Sequence, residues 1–315
     1  MNRCSQVVAD ALTKRMAELS QVASLTQLDK LSFNSSLKYL MINDPKLTVE
    51  ITSKNSFEIY ESEFGLVVDN GPALSQARLA DFFLGANRVK NQYSTIAKLR
   101  ASNAPVAWII VSAYYCAFFA AIEMCKLLSR ISLSIDGGDI EGLKIKAIGA
   151  DHSAFFDNSP GSFVGIENAG KLQFSSSGTK PHEAAWINVR IVIKKLLGEF
   201  SWMDAKSLIL LFEDTLNNPS KIRNHWNYKR SDYYGPAGER VGHQFIQLIG
   251  NQSGAMAWLE RSRGRCNALE PCVIAVFCEL FSSAVIDAAE RGKYILRDSV
   301  GQLGGLRGLN SRSFR

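Results

Sequence analysis

One uncharged stretch, residues 101–122, constrains the fold of this chain more than any other segment. It is long enough to cross a bilayer, so it must either span a membrane or be buried inside a folded protein. Alanine, serine, asparagine and cysteine dilute its hydrophobicity, its two tyrosines lie in mid-run, and we recognise no second such run downstream. We therefore predict a buried helix that begins after Pro105 and involves no membrane.

The composition is that of a globular cytoplasmic protein. The 315 residues are enough to bury a core without disulfides. The six cysteines form no Cys-x-x-Cys pair, and no histidine stands at zinc-ligand spacing. The charged residues Asp10, Lys14 and Arg15 interrupt any apolar run of the kind that a signal peptide needs. We expect free thiols in a reducing cytoplasm and neither a metal nor another cofactor.

Apolar residues at helical spacing cover most of the chain. The predicted helices are 5–42, 74–100, 105–130, 183–200, 202–216 and 269–292. Residues 46–68 instead alternate apolar and polar side chains around a Ser-Lys-Asn-Ser turn, which predicts a small β-hairpin or meander.

The remaining segments complete a mainly α fold class. Residues 131–182 hold eight glycines and few hydrophobic residues, which indicates a long loop-rich insertion with a short strand pair, either functional or a decorated surface loop. Residues 293–315 read as a basic flexible tail. The sequence thus predicts an N-terminal α+β region, 1–100, a helical bundle over 101–292 that contains the insertion, and the tail.

The positive charge is concentrated near the C-terminus. Residues 1–218 carry 22 basic and 22 acidic groups, whereas residues 219–315 carry 14 basic and 8 acidic groups. The net charge of +6 therefore comes entirely from residues 219–315. This favours an anionic partner, most simply a nucleic acid, although a solvated basic surface gives the same count.

The segment Arg223-Asn-His-Trp-Asn-Tyr-Lys-Arg-Ser-Asp-Tyr-Tyr-Gly235 has almost no aliphatic side chain. If it is helical, four side chains form one stripe with Asn224 and Tyr228 beside it, namely Arg223, Trp226, Asn227 and Arg230. Arginine forks suit phosphate oxygens, and aromatic rings suit nucleobases. The alternative is that the arginines pair with carboxylates such as Asp232 while the aromatic rings fill gaps beside a turn.

Two elements of this chain resemble HEPN domains, which are helical bundles of many prokaryotic toxin, defence and nucleotidyltransferase-partner proteins. The helix Ser112-Ala-Tyr-Tyr-Cys-Ala-Phe-Phe-Ala-Ala-Ile-Glu-Met-Cys-Lys-Leu-Leu128 resembles their "AYYAxFxAAxxLL" helix. Downstream, Arg223-Asn224 resembles the start of the HEPN signature, and Arg230-Ser-Asp-Tyr233 resembles the "RxxDY" ending of some branches. The resemblance covers roughly 104–130 and 183–292. Packing accounts for Tyr114, Tyr115, Phe118 and Phe119, to which we assign no chemistry.

The resemblance implies an RNA-directed, metal-independent endoribonuclease in prokaryotic defence or a toxin–antitoxin system. A base would take the proton of a ribose 2′-hydroxyl, and arginine would stabilise the charge on phosphorus. The implied catalytic residues are Arg223, His225 and Tyr228, and the implied substrate-binding residues are Asn224, Asn227, Arg230, Asp232 and Tyr233. It also implies a homodimer with a composite cleft and, as a further partner, an antitoxin or another defence protein.

The chain departs from the nucleolytic HEPN pattern, in which a histidine follows the arginine after a longer gap. Counting with that gap reaches Tyr228, Lys229 or Arg230, whereas His225 comes too early. On an α-helix His225 would lie about 200° from Arg223. The alternative is therefore a noncatalytic interaction or dimerisation module that binds a partner protein, a nucleotide or a nucleic acid. A third hypothesis places an enzyme at Asp151 and His152.

Overall fold

The computed structural model describes residues 1–22, 30–62, 73–149, 152–157, 161–213 and 218–309, with side chains up to residue 296. The described residues are mainly helical with a small antiparallel sheet. They form two compact units. The bundle unit comprises Met1–Ala11, Gly85–Cys125 and Ala185–Asp287, and the sheet unit comprises Leu12–Leu84, Lys126–Ala184 and Ala288–Arg315.

The helices follow the apolar periodicity of the sequence. Their bounds are α1 Arg3–Val22, α2 Leu37–Asn43, α3 Ala73–Ala101, α4 Val106–Leu127, α5 Gly137–Lys146, α6 His152–Asp157, α7 Pro181–Leu197, α8 Met203–Glu213, α9 Pro219–Asn224, α10 Pro236–Leu248, α11 Gln252–Ser262 and α12 Cys272–Leu309. Helices α3, α4, α7 and α8 lie close to the predicted ranges. Helix α12 runs on to Leu309, through most of the segment that the sequence assigned to a flexible tail, and residues 310–315 lie outside the described part.

Two helical segments are long and apolar enough to cross a membrane, Val106–Leu127 and Cys272–Leu296. The expectation that no second apolar run of this length follows residues 101–122 was therefore wrong. Of their most apolar windows, 72% and 83% are buried within the protein, as in core helices of folded domains. Length and composition alone are weak grounds for a membrane span.

The sheet unit contains a five-stranded antiparallel sheet of order β1-β2-β5-β4-β3. The strands are β1 Leu47–Ser53, β2 Ser56–Glu61, β3 Arg130–Ser134, β4 Ser162–Asn168 and β5 Lys171–Ser176. The predicted hairpin is confirmed as β1 and β2, which turn at Ser53-Lys54-Asn55-Ser56. The insertion predicted to be rich in loops instead contains α5, α6, β4, β5 and all of β3 except Arg130. Its strand β5 pairs with β2.

Gly165, a glycine of the insertion, has a packing role that the composition of the segment does not indicate. A Cβ atom added to Gly165 of β4 would lie 2.5 Å from the ring of Phe174 on the paired strand β5. Phe174 stacks on Phe57 of β2 with centroids 4.8 Å apart, and Phe155 and Phe163 pack around Phe57. The glycine thus makes room for the aromatic core of the sheet unit.

Helix α4 supplies much of the core of the bundle unit. Tyr114 is fully buried, and its ring lies 6.3 Å from that of Trp186 on α7. Trp186 in turn stacks on Phe277 of α12, and Phe277 stacks on Phe212 of α8. These ring contacts fix α4 beside α7 and α12 within the unit. The same helix presents other residues to the segment around Arg223.

Candidate functional site

The segment around Arg223 folds as three short helical turns of different pitch. Helix α9 begins with Pro219, and the side chain of Asn218 caps it by accepting a hydrogen bond of 2.9 Å from the Ser220 N–H. After Asn224 the chain forms a π-helical turn, His225–Lys229, and then a 3-10 turn, Ser231–Tyr234. A π turn bonds residues five apart and is often found at functional sites.

This change of pitch breaks up the stripe that a regular α-helix would have formed. Trp226 points into the core and is 1% exposed. Arg230 lies beyond the π turn and forms two hydrogen bonds with Asp232, of 2.9 and 2.7 Å. Its guanidinium carbon is 4.1 Å from the centroid of the Tyr233 ring. The proposed pairing of arginine with Asp232 therefore holds for Arg230.

Arg223 lies in different surroundings, which we call the Arg223 pocket: Arg223 with the rings of Tyr114, Tyr115 and Tyr228. The guanidinium carbon is 5.1, 5.4 and 5.8 Å from the three ring centroids. Arg223 is 9% exposed, and its Nε has no hydrogen-bond partner. Within the part of the chain that the structure describes, no carboxylate forms an ion pair with it.

The rings of the Arg223 pocket differ in exposure. Tyr114 is buried, Tyr115 is half-buried, and Tyr228 is 71% exposed. Burial raises the pKa of Tyr114, and the Ser220 hydroxyl, Trp186 and Arg223 oppose that shift. Tyr114 therefore stays a neutral phenol at neutral pH. The pocket is a largely buried cation among three aromatic rings, of which that of Tyr228 is the exposed one.

His225 has another set of neighbours. Its ring packs edge-on against Tyr233 at 5.9 Å. Burial lowers the pKa of His225, Arg230 and Lys229 lower it further, and Asp232 opposes them. The imidazole is therefore neutral at neutral pH. The described contacts join His225 to the Arg230–Asp232 pair and do not join it to Arg223.

Asn224 and Asn227 take different positions. Asn224 is exposed at the end of α9, next to Arg223. The amide oxygen of Asn227 accepts a 2.8 Å hydrogen bond from the Tyr234 hydroxyl, and the Tyr234 ring packs edge-on against Trp108 of α4 at 5.4 Å. Of the predicted site residues, the structure thus brings Arg223 and Tyr228 together, with Asn224 beside them. Asn227, Arg230, Asp232 and Tyr233 are engaged with other side chains of the segment.

Sequence reasoning missed the contribution of α4. It assigned only packing to Tyr114 and Tyr115, whereas both rings lie against the Arg223 guanidinium. Neighbouring side chains leave a helix about 100° apart, so two tyrosines in a row were a signal that at least one of them lies away from the centre of the core. The partner that the second tyrosine faces could not be read from the sequence.

A groove of about 710 Å³ also lies in the bundle unit, lined by residues that include Arg100, Val106, Ile109, His243 and Ile246. The Arg100 guanidinium is bonded there to the carbonyl oxygen of Ile246 at 3.4 Å.

Among the described residues, no group of three or more His, Cys, Asp or Glu side chains is placed to hold a metal ion. Asp151, the partner of His152 in the third hypothesis, lies outside the described residues. No protein-family model, curated protein or solved structure matches this chain. Its function is therefore inferred from the site itself.

Proposed function

We propose that this protein is an RNA-directed protein of the HEPN type that binds the phosphate backbone of RNA at the Arg223 pocket. The observation that supports this most is the Arg223 guanidinium, which is 9% exposed and has no carboxylate partner among the described residues. Its Nε–H is buried and has no hydrogen-bond partner, so a phosphate would have to reach the terminal nitrogens of the guanidinium. Binding itself, without catalysis, is the activity that the geometry supports best.

The physical argument begins with the cost of a buried charge. A cation that leaves water without a partner is unstable, and contacts with aromatic rings compensate for only part of that loss. A phosphate at the open side of the pocket would accept hydrogen bonds from the guanidinium and neutralise it. Asn224, exposed beside Arg223, adds an amide that can donate to the same phosphate.

A nucleic acid fits the surroundings better than an isolated phosphate. The segment from residue 219 onward carries 14 basic and 8 acidic groups, and such an excess attracts a polyanion. Tyr228 at the mouth of the pocket offers an exposed ring face on which a base can stack. Both features favour a chain of nucleotides over a small anion.

A metal-independent ribonuclease is the second candidate, and the state of His225 favours it. Its lowered pKa keeps the imidazole neutral, as a general base must be. Arg223 would stabilise the charge of a pentacoordinate phosphorus. Against this candidate, the described contacts of His225 and of Arg223 are with different side chains.

The wider setting belongs to the same proposal. A homodimer, a partner antitoxin or defence protein, and a role in prokaryotic defence rest on the HEPN resemblance alone, whereas a cytoplasmic location rests on the free cysteines.

The test is RNA binding by wild type, Arg223→Gln and Arg230→Gln, measured by titration of a labelled single-stranded RNA in EDTA. Arg230→Gln is the matched control because it removes the same charge from the same segment, but from a guanidinium already paired with Asp232. We expect Arg223→Gln to weaken binding by at least about tenfold, the loss typical of a charged hydrogen bond, and Arg230→Gln to change it little.

The same reactions distinguish the two candidates when the RNA ends are inspected. Intact RNA bound in an Arg223-dependent way supports the binding module. Cyclic phosphate ends that disappear in both Arg223→Gln and His225→Gln support the ribonuclease. Equal loss of binding in Arg223→Gln and Arg230→Gln would show that overall charge, and not the Arg223 pocket, holds the RNA.

A further inference from the structure

Three aromatic side chains lie along one face of α4 and remain open to solvent: Trp108, Tyr115 and Phe119, which we call the aromatic stripe. Their spacings of seven and four residues place them on one side of a helix. Trp108 is 51% exposed, and the other two are half-buried. Most of α4 is core, so a row of large rings that keep partial contact with solvent is unusual on it.

Two arginines lie over the rings of the aromatic stripe. The Arg223 guanidinium carbon is 5.4 Å from the Tyr115 centroid, and that of Arg88 on α3 is 4.0 Å from the Phe119 centroid. Arg88 is held in this position by a 2.9 Å hydrogen bond to Glu123, and half of its side chain stays exposed. Two of the three rings therefore each have a guanidinium lying against them.

We propose that the aromatic stripe stacks the bases of a single-stranded nucleic acid next to the Arg223 pocket. This rests on the proposed RNA binding and names the form of RNA that is bound. From Trp108 to Phe119 the helix rises roughly 16 Å, enough for a short run of nucleotides. Bases stack on indole and phenyl rings and on guanidinium planes alike, which makes the surface tolerant of sequence.

The chemistry of the stripe favours a single strand over its alternatives. In a duplex the base faces are stacked on one another and are not available to protein rings. A second copy of this chain alone, packed across a two-fold axis, would bring two unneutralised Arg223 cations toward each other. A polyanion supplies both the base faces and the negative charge.

The test compares three probes of equal length: a 2′-O-methyl single strand, which cannot be cleaved through its 2′-oxygen, the same strand in a duplex, and a ribose-phosphate oligomer without bases. We expect wild type to prefer the single strand. Trp108→Ala should weaken that binding by at least about fivefold and leave binding of the base-free oligomer unchanged. Trp108→Phe, which keeps a ring, should restore most of the preference.

Phe33→Ala is the matched control, since Phe33 is 64% exposed and lies outside the aromatic stripe. It should bind all three probes as wild type does. Thermal unfolding of each variant shows whether the fold is intact.

The outcomes separate the two proposals. If the base-free oligomer binds as well as the single strand, or Trp108→Ala binds normally, the stacking proposal is overturned while the Arg223 proposal stands. If Arg223→Gln binds normally and Trp108→Ala does not, the Arg223 proposal fails and the stripe stands. If no probe binds, both are wrong. If Trp108→Ala lowers the mass measured by sedimentation and leaves RNA binding unchanged, the aromatic stripe is a subunit interface and the stacking proposal is overturned.

Discussion

The ring of Tyr228 lies 5.8 Å from the guanidinium carbon of Arg223, although the two residues are five apart in sequence. In an α-helix, side chains three or four residues apart are neighbours, and those five apart are not. The π turn His225–Lys229 changes this spacing and brings Tyr228 over Arg223. The irregular turn is thus what gives the Arg223 pocket its exposed wall.

Tyr228→Ala removes that wall without touching the core. Since the ring is 71% exposed, we expect unchanged stability. RNA affinity should fall by at least about fivefold, the value of one base stacked on an aromatic ring. Tyr228→Phe should bind as wild type. A titration of both variants with the same RNA checks this. Weaker binding by Tyr228→Phe would contradict it, because it would show that the hydroxyl is needed.

Arg223→Met separates a binding role from a structural one. A structural arginine would lose stabilising partners, whereas Arg223 has no carboxylate partner in the described chain. Replacing this buried cation with an apolar side chain of similar length should leave the free energy of unfolding unchanged or raise it by up to about 2 kcal/mol. RNA binding should be lost. Urea unfolding of the RNA-free protein is the measurement, and a clear loss of stability would indicate a structural role.

Gly242→Ala should disturb the packing of Trp226 and Val106 against α10. A Cβ at Gly242 of α10 would lie 2.3 Å from the Cγ1 of Val106 and 3.3 Å from the Trp226 ring. We expect a loss of about 1–3 kcal/mol in unfolding free energy from overpacking. Gly137→Ala is the control, because a Cβ there meets nothing within 4 Å. Equal effects of the two substitutions in urea unfolding would contradict the packing that we describe.

Glu167 of the sheet unit gives a pH-dependent prediction. Burial opposes its ionisation, but Arg78, the Ser129 hydroxyl and Arg15 outweigh burial and lower the pKa of Glu167 to about 2. Its unfolded pKa is about 4.3. A lowered pKa stabilises the fold above the unfolded value, and this contribution is lost as the pH falls from about 4.3 toward 2.

Glu167→Gln should therefore cost about 1–2 kcal/mol at pH 7, after allowance for solvent screening, and progressively less below pH 4. Urea unfolding across this range provides the measurement. The control is Glu141→Gln, which breaks only an exposed pair with Lys144 and should cost nothing measurable. A difference between wild type and Glu167→Gln that does not shrink in acid would contradict the assignment.

His225 should titrate below the usual histidine range in proton NMR. Burial is the first cause, and the charges of Arg230 and Lys229 add to it. Arg230→Gln removes one of these charges and frees Asp232, and both changes favour the protonated imidazole. We expect the pKa of His225 to rise in this variant. A fall, or no change, would place His225 outside the field of the Arg230–Asp232 pair.

Local patterns predicted the long helices α3, α4, α7 and α8, because each depends on residues close in sequence, but not α5, α6, α10 and α11. The β1–β2 hairpin was predictable for the same reason, since alternation and a turn are local signals. The pairing of β2 with β5 was not, because it joins Ser56–Ile59 to Leu172–Ser175 across more than a hundred residues. The strand pair expected in the insertion is present as β4 and β5. Its composition did not give the role of Gly165, which depends on Phe174 of the paired strand.

The site was predictable only in part. The sequence singled out Arg223 and Tyr228 by residue type, and the structure places them together. It did not predict the π turn, because hydrogen bonding of that kind leaves no composition signal. Nor did it predict that Tyr115 of α4 faces Arg223, since that contact depends on how two distant helices pack.

The most direct measurement follows the buried Nε–H of Arg223, which reports on the state of its guanidinium, by nitrogen-resolved NMR as RNA is added. Its signal is assigned by its absence in Arg223→Lys, and the Nε–H of Arg230, already bonded to Asp232, serves as the internal reference. We expect the Arg223 signal to shift in a saturable way while the Arg230 signal stays nearly constant. RNA that binds without moving the Arg223 signal would contradict the proposal that Arg223 holds its phosphate.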